Sequence, residues 1–336
     1  MIIKLPFYVM FIFLIVSSCG FCEEVNVYSY RKPQLIKPLF ESFSESTGIK
    51  VNSVYAKKGM LERIRSEGKN SPVDLVLTVD IGRLTDLKDA GLTQPLKSKK
   101  LFENIPPNFR DPDNYWLGLT SRARVIVVSK ERVDEVLLKN YEDLSKTRWK
   151  GRICTRQGKH PYMNALIASV IASSGEKGAE KWLKGLKSNL ARKPQGNDRA
   201  QVKAIYEGFC DIAVINHYYI ALMSSDVNQK KWADSVKIIF PNQDNRGTHM
   251  NVSGVALARF APNRENAVKL LLFLASQNGQ EIYANENNEY PVSKKVPLSE
   301  QLSSWGHFKQ DEISLVKVAE KRMSALLMAD RVGYNN

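Results

Sequence analysis

The sequence has few of the residues that usually carry enzyme chemistry, with four histidines and four cysteines in 336 residues. The histidines do not have the spacing of a metal-binding motif; they are His160, His217, His249 and His307. A nucleophile elbow, a Walker loop, an HExxH pair and a glycine-rich dinucleotide motif are also missing. Because no motif supports a catalytic mechanism, we expect a protein that is not an enzyme.

Basic residues outnumber acidic ones, but they are not clustered. The chain has 49 Lys and Arg against 35 Asp and Glu, a formal net charge of +14. No block of five or more basic residues occurs, so we expect no nucleic-acid partner. A basic surface on an exported protein suits anionic ligands or membrane faces, and solvated lysines without a role are the alternative.

The first 22 residues decide the compartment. The segment MIIKLPFYVMFIFLIVSSCGFC has one lysine, an unbroken apolar run and then small residues, which is typical of a signal peptide. Cleavage after Cys22 would produce a soluble periplasmic chain that begins at Glu23, and we favour this reading. The stretch VSSC also resembles a lipobox, in which case Cys19 would carry a lipid anchor.

Two cysteines remain in the mature chain, Cys154 in GRICTR and Cys210 in EGFCDI. An exported compartment is oxidising, so an even pair favours a disulfide over two buried free thiols. Neither cysteine lies in a motif with a base, which argues against a catalytic thiol.

Predicted strands and helices alternate after the leader, and this rhythm predicts an α/β fold. The segments EVNVYSY, IKVNSVYA and PVDLVLTVD read as strands, with helical patterns between them, which indicates a parallel sheet flanked by helices. YWLGLTSRARVIVVS is a strand pattern long enough to cross between two lobes. We expect one lobe from 23–120 with about 253–300, and a second from 121–252 with about 301–336.

Three segments could bring polar side chains into a cleft between these lobes. YSYRKP offers Tyr30 and Arg31 at the end of the first strand, RQGKHPYMNAL offers Tyr162, and INHYYI offers Tyr218 and Tyr219. Neighbouring strand residues point to opposite faces, so two adjacent phenols are seldom needed for packing alone. Half-buried aromatic residues with satisfied hydroxyls are the alternative.

Three phenolates would suit a hard, highly charged cation. A phenol has a pKa near 10, so the cation must be strong enough to displace its proton. Ferric ion can do this, whereas Ca²⁺ and Mg²⁺ rarely do. If both phenols reach one metal, the backbone must leave strand geometry at Tyr218, in a loop or a first helical turn.

The order of several stretches resembles the periplasmic ferric-iron-binding proteins across nearly all of the mature chain. These stretches are VYSYRKPQLIKPLFESFSESTGIKV, SPVDLVLTVDIGRL, GLTSRARVIVVS, KGRICTRQGKHPYMNAL, ARKPQGNDRAQVKAIYEGFCDIAV, NHYYIAL and NVSGVALA. The resemblance implies a bilobal class II periplasmic-binding-protein fold, similar to one transferrin lobe. It also implies a monomer that binds Fe³⁺ in the cleft and delivers it to an inner-membrane ABC permease.

By the same resemblance, the family's tyrosine ligands fall on Tyr162, Tyr218 and Tyr219. Many relatives place a His, sometimes followed by a Tyr, after the first strand. Lys32 and Pro33 stand there in this chain, so we expect a three-tyrosine site completed by an anion or water.

An anion in such a site, for example carbonate, would need a positive neighbour. Arg31 and Arg122 are the candidates, because a guanidinium can hold a carbonate through two hydrogen bonds. Arg124 shares a strand face with Arg122, so the sequence does not separate the two. Tyr30 and Asn197 are weaker cleft candidates.

Two rival functions remain at this point. A receptor of the same fold could bind a polyamine, thiamine or a phosphonate, with the tyrosines stacking on the ligand. The second rival is a secreted two-lobed enzyme.

Overall fold

The computed structural model describes residues 23–336, so the expected signal peptide and Cys19 lie outside the described residues. The strands of this part are β1 (Glu24–Ser29), β2 (Lys50–Tyr55), β3 (Leu75–Thr78), β4 (Thr93–Gln94), β5 (Leu117–Ser129), β6 (Ile153–Cys154), β7 (Ile212–Asn216), β8 (Val236–Ile239), β9 (Met250–Ala258) and β10 (Tyr290–Pro291).

Helices alternate with these strands in both halves of the sequence. They are α1 (Pro33–Thr47), α2 (Met60–Glu67), α3 (Ile81–Asp89), α4 (Lys99–Asn104), α5 (Pro161–Ser188), α6 (Asp198–Tyr206), α7 (Tyr218–Ser224), α8 (Lys230–Asp234), α9 (Arg264–Leu274), α10 (Gln277–Asn287), α11 (Glu300–Ser303), α12 (Leu315–Glu320) and α13 (Arg322–Arg331). Over residues 23–336, the helices are all too short or too polar to cross a membrane.

The first lobe is built on the parallel strands β2, β1 and β3, as the alternating pattern predicts. Helix α1 packs on them through an apolar face of Ile36, Leu39, Phe40 and Phe43, all buried. Gly48 ends this helix with φ of 73°, a left-handed conformation that glycine adopts without a steric penalty.

Two long strands join this lobe to the second one. In β5, residues from Leu117 to Ala123 pair with β9, and residues from Arg124 to Val128 pair with β7, all antiparallel. All thirteen residues of β5 are buried. The predicted crossover strand is therefore confirmed, and Arg122 and Arg124 lie where it passes from one lobe to the other.

The second lobe places β7 between β6 and the far half of β5, with β8 on the other side of β5. The first half of α5, from Met163 to Ile171, is buried against this sheet. Helix α12 contributes to both cores, because Leu315 packs in the first and Val318 in the second.

Two late segments, NRENAVKLLLFLASQNG and DEISLVKVAEKRMSALLMAD, each have the apolar pattern of a single helix, but the structure interrupts both. Helices α9 and α10 separate at Ser276, whose extended backbone (ψ of 167°) lets its side chain accept a hydrogen bond from Gly279 N–H. Helices α12 and α13 separate at Lys321. A side-chain cap thus accounts for the break at Ser276, whereas the break at Lys321 has no side-chain cap.

The expected disulfide is present between Cys154 and Cys210, whose Cα atoms are 6.0 Å apart. It connects β6 to the loop before β7, and the two cysteines are 56 residues apart in the sequence.

Replacing both cysteines with alanine should lower the free energy of unfolding by about 2–4 kcal/mol, mainly because the unfolded chain gains conformational entropy when the cross-link is lost. Urea unfolding of the oxidised protein and the double variant measures this. Equal midpoints would contradict it.

Candidate functional site

The adjacent tyrosines lie where β7 gives way to α7. Strand β7 ends at Asn216, and α7 begins at Tyr218. Helical geometry turns the two rings toward each other, with centroids 4.3 Å apart. Tyr218 is buried and Tyr219 is partly buried. The expectation that they follow the strand in a first helical turn is confirmed.

Tyr162 lies in the first turn of α5. Pro161 opens this helix, and His160 caps it by accepting a hydrogen bond from Tyr162 N–H at 3.2 Å on Nδ1. Burial and, to a smaller extent, the nearby guanidinium of Arg156 together lower the pKa of His160 to about 3. The His160 imidazole is therefore neutral at physiological pH and acts as a cap.

Tyr162 lies close enough to Tyr218 and Tyr219 to affect the ionisation of both. Burial raises the pKa of Tyr218 well above its usual value, and Tyr162 and Tyr219 add to the shift. Burial also raises the pKa of Tyr219, again with a contribution from Tyr162. Without a cation between them, Tyr218 and Tyr219 are protonated at neutral pH.

Three arginines surround the Tyr162 ring. The guanidinium carbons of Arg122, Arg124 and Arg156 lie 5.6, 5.9 and 5.3 Å from its centroid. Such a concentration of cations would hold an external anion beside this ring.

Arg124 and Arg156 already have a carboxylate partner, Asp198, which is fully buried. Arg124 Nη1 lies 3.1 Å and Arg156 Nη1 lies 3.4 Å from its oxygens. Arg124 also donates to the Asn216 side chain and the Val214 carbonyl. Its role is therefore to tie β5, β7 and α6 together.

Arg122 differs from its neighbours because no carboxylate lies within 4 Å of it in the described part of the chain. Its guanidinium donates to the Val79 carbonyl of the first lobe. Since it also lies beside Tyr162 of the second lobe, the tyrosine cluster is at the junction of the two lobes.

The structure does not present Arg31 as a free cation. Its two terminal nitrogens each donate to a carboxylate oxygen of Glu289 at 3.1 Å. It also donates to the Ser253 hydroxyl. An anion that binds Arg31 would have to compete with an internal carboxylate.

Tyr30 and Asn197 have local structural contacts. The Tyr30 hydroxyl accepts a hydrogen bond from Leu61 N–H at 3.3 Å, next to the start of α2. Asn197 is exposed and caps α6 by accepting from Ala200 N–H at 3.0 Å. Lys32 and Pro33 are both exposed at the start of α1.

Sequence reasoning missed the residues that hold this cluster in place. His217 accepts from Ala123 N–H on Nδ1 at 3.1 Å, and Nε2 donates to the Asn288 carbonyl at 2.9 Å. Burial lowers the pKa of His217 to about 4, so the ring is neutral and structural. His217 directly precedes Tyr218 in the sequence, so its place beside the tyrosine pair could have been predicted. Nothing in the sequence around Glu289 or Asp198 indicates that they lie near the site.

Residues 23–336 contain no group of three or more His, Cys, Asp or Glu side chains arranged to hold a metal ion. The oxygen-bearing side chains that the structure does bring together at the junction are the phenols of Tyr162, Tyr218 and Tyr219. The donor set consists of hard oxygen atoms, which favours a hard, highly charged cation.

Comparison with known proteins places the chain among transport proteins. Residues 70–310 match the family model described as bacterial extracellular solute-binding protein. The chain is 43% identical over 323 residues to iron uptake protein A1 of Synechocystis sp., covering 95% of this chain and 90% of that protein. It is 28% identical over 316 residues to the major ferric iron-binding protein of Neisseria meningitidis, covering 91% and 92%.

Solved structures agree with this placement. Apo ferric ion-binding protein A of Pasteurella haemolytica superposes with a TM-score of 0.89 at 46% identity, covering 94% of this chain and 99% of that one. A Trichodesmium protein solved with iron and citrate has a TM-score of 0.88 at 42% identity, covering 93% and 99%.

These structures confirm the bilobal class II periplasmic-binding-protein fold that the sequence resemblance implies. The family is one of solute binding and transport, which confirms the expectation that the protein is not an enzyme. The matched model covers more than half of the chain, and the similarity extends over nearly all of it. The chain therefore belongs to the bacterial extracellular solute-binding protein family.

Proposed function

We propose that this protein binds Fe³⁺ at the lobe junction through the phenolate oxygens of Tyr162, Tyr218 and Tyr219. The observation that carries the proposal is the cluster itself, in which three coupled phenols lie beside several arginines. Three phenolates balance the charge of Fe³⁺, and the proteins similar to this chain include an iron uptake protein and a ferric ion-binding protein.

An external anion would complete the coordination of the ferric ion. Arg122 is its principal holder, because it lies beside Tyr162 and has no carboxylate partner among residues 23–336. Carbonate and citrate are both suitable, since each offers carboxylate-type oxygens to a guanidinium. The Trichodesmium relative was solved with citrate as well as iron.

The transport role follows from the family and the fold. The protein would act as a periplasmic monomer that closes its lobes, 23–120 with about 253–300 and 121–252 with about 301–336, over the metal. The crossovers β5 and β9 would form the hinge. An inner-membrane ABC permease would receive the iron, and cleavage after Cys22 would leave the carrier free rather than lipid-anchored at Cys19.

Adding Fe³⁺ with bicarbonate to the purified apo-protein should produce a visible phenolate-to-iron charge-transfer band with one iron per chain. Tyr219→Phe should remove most of that absorbance, because it deletes one oxygen donor and leaves the ring packing intact. Tyr206→Phe is the matched control, since Tyr206 is 43% exposed on α6 and is no part of the cluster.

A wild-type protein that stays colourless and retains no iron would refute the proposal. If the colourless protein bound a polyamine, thiamine or a phosphonate instead, the rival function would hold, with the tyrosines in contact with that ligand. Full colour in a folded Tyr219→Phe variant would exclude that tyrosine as a ligand.

A further inference from the structure

A buried ion pair, Arg31–Glu289, lies against the crossover strands β5 and β9. Arg31 and Glu289 are 1% and 2% exposed, and the two forked groups face each other through hydrogen bonds of 3.1 Å. Thr120 on β5 also donates to Glu289, and Ser253 on β9 accepts from Arg31. Arg31 and Thr120 thus hold the carboxylate directly, and Ser253 in turn holds Arg31.

Glu289 lies close enough to Arg31 and Arg122 for both positive charges to affect its ionisation. Burial by itself would raise the pKa of Glu289, but Arg31, Arg122 and its hydrogen bonds hold it below the usual value. Glu289 is therefore ionised. Arg31 has its carboxylate in hydrogen-bond contact, whereas Arg122 has none within 4 Å over the described residues.

The residues on either side of Glu289 also contact His217, which directly precedes the tyrosine pair. Asn288 accepts a hydrogen bond from His217, which directly precedes Tyr218. The Tyr290 ring lies 4.6 Å from the His217 ring, and β10 pairs with β5 at Ser121. The carboxylate position is therefore set by the same framework that sets the tyrosines.

We propose that Glu289 determines the anion specificity of the site by occupying Arg31, so that an external anion is held by Arg122 rather than by both arginines. The inference rests on the proposed function, in which this anion completes the coordination of Fe³⁺. Glu289 acts as an internal counter-ion, and it limits the charge of the external anion that the cleft accepts.

Removal of the Glu289 charge should free the forked edge of Arg31 beside Arg122. In a buried site the screening by water is weak, so an additional cation strongly favours a more highly charged anion. A dianion gains from this cation about twice what a monoanion gains. Glu289→Gln should therefore change the preference between anions in addition to the affinity for each one.

Oxalate and formate are suitable probes, because both bind through carboxylate oxygens and they differ in charge. Calorimetric titration of the apo-protein at constant ionic strength measures a dissociation constant for each. In Glu289→Gln, the ratio of oxalate affinity to formate affinity should rise about tenfold or more above the wild-type ratio.

The matched control is Glu67→Gln. Glu67 is also paired with an arginine in the first lobe, with Arg63 Nε 2.7 Å from its carboxylate. This variant makes the same change of charge and should keep the wild-type ratio. Because a ratio of two affinities cancels a general loss of folded protein, a structural defect alone would not reproduce the shift.

The double variant Arg31→Gln/Glu289→Gln provides a test that does not depend on the stability of the single variant. It removes both partners of a neutral pair, which avoids a buried unpaired charge. If Glu289 already occupies Arg31, this variant should bind both anions with the wild-type ratio. Loss of both anions would show that Arg31 is itself the holder and would overturn the proposal.

An unchanged ratio in folded Glu289→Gln would also overturn it. These measurements need no iron, so their outcome is distinguishable from the ferric-binding test. A protein that forms no ferric colour but shows the ratio shift would refute the proposed function alone. A coloured protein without the shift would refute the role of Glu289 alone.

Discussion

Lowering the pH from 7 to 6 is expected to weaken ferric binding about a hundredfold to a thousandfold. Tyr218 and Tyr219 have raised pKa values because they are buried close to each other and to Tyr162. They must lose protons to bind as phenolates, so protons compete with the metal. Each proton released makes the affinity fall about tenfold for every unit of acidification, and the site would release two or three.

The proton count can be measured directly. Iron added as a ferric nitrilotriacetate complex to weakly buffered apo-protein should release two to three protons from the protein per iron bound, after correction for the protons that the freed nitrilotriacetate and any iron-bound hydroxide take up. Tyr219→Phe should release about one fewer. Release of less than one proton per iron in the wild-type protein would mean that the phenols do not bind as phenolates.

The arrangement of Tyr218 and Tyr219 was largely predictable from the sequence. The run DIAVI has the apolar composition of a buried strand, and the adjacent Tyr218 and Tyr219 could reach one metal only if the strand ended before them. The structure has this geometry, because α7 begins at Tyr218. Two adjacent tyrosines that do not fit the alternation of a strand thus indicated that the strand ends before them.

The ionic partners of the site were not predictable in the same way. Arg31 reads as an anion-binding residue in YSYRKP, but its carboxylate partner is 258 residues further along the chain. Arg122 and Arg124 are alternate residues of one strand, and their different partners, the Val79 carbonyl for Arg122 and Asp198 on α6 for Arg124, come from distant parts of the chain. Charge pairing between distant segments depends on tertiary structure, and a single sequence contains no pattern for it.

The remaining large effect concerns stability. Asp198→Asn should lower the free energy of unfolding by about 3–5 kcal/mol, the usual result of removing one partner of a buried ion pair. Asp198 is fully buried and is the shared carboxylate of Arg124 and Arg156. The substitution leaves Arg124 buried on the crossover strand without a counter-charge, although Asn216 and the Val214 carbonyl still accept its hydrogen bonds.

Glu207→Gln is the matched control, because it removes the same charge from the end of the same helix. Glu207 pairs with Lys203 at the surface, 3.3 Å away, where an ion pair contributes about 0.5 kcal/mol or less. Urea unfolding of the two apo variants should therefore give a large loss for Asp198→Asn and almost none for Glu207→Gln. A loss below about 1 kcal/mol in Asp198→Asn would show that neutral hydrogen bonds are sufficient for Arg124. In that case the Arg124–Asp198 pair would serve mainly to keep cations beside Tyr162 rather than to stabilise the junction of the lobes.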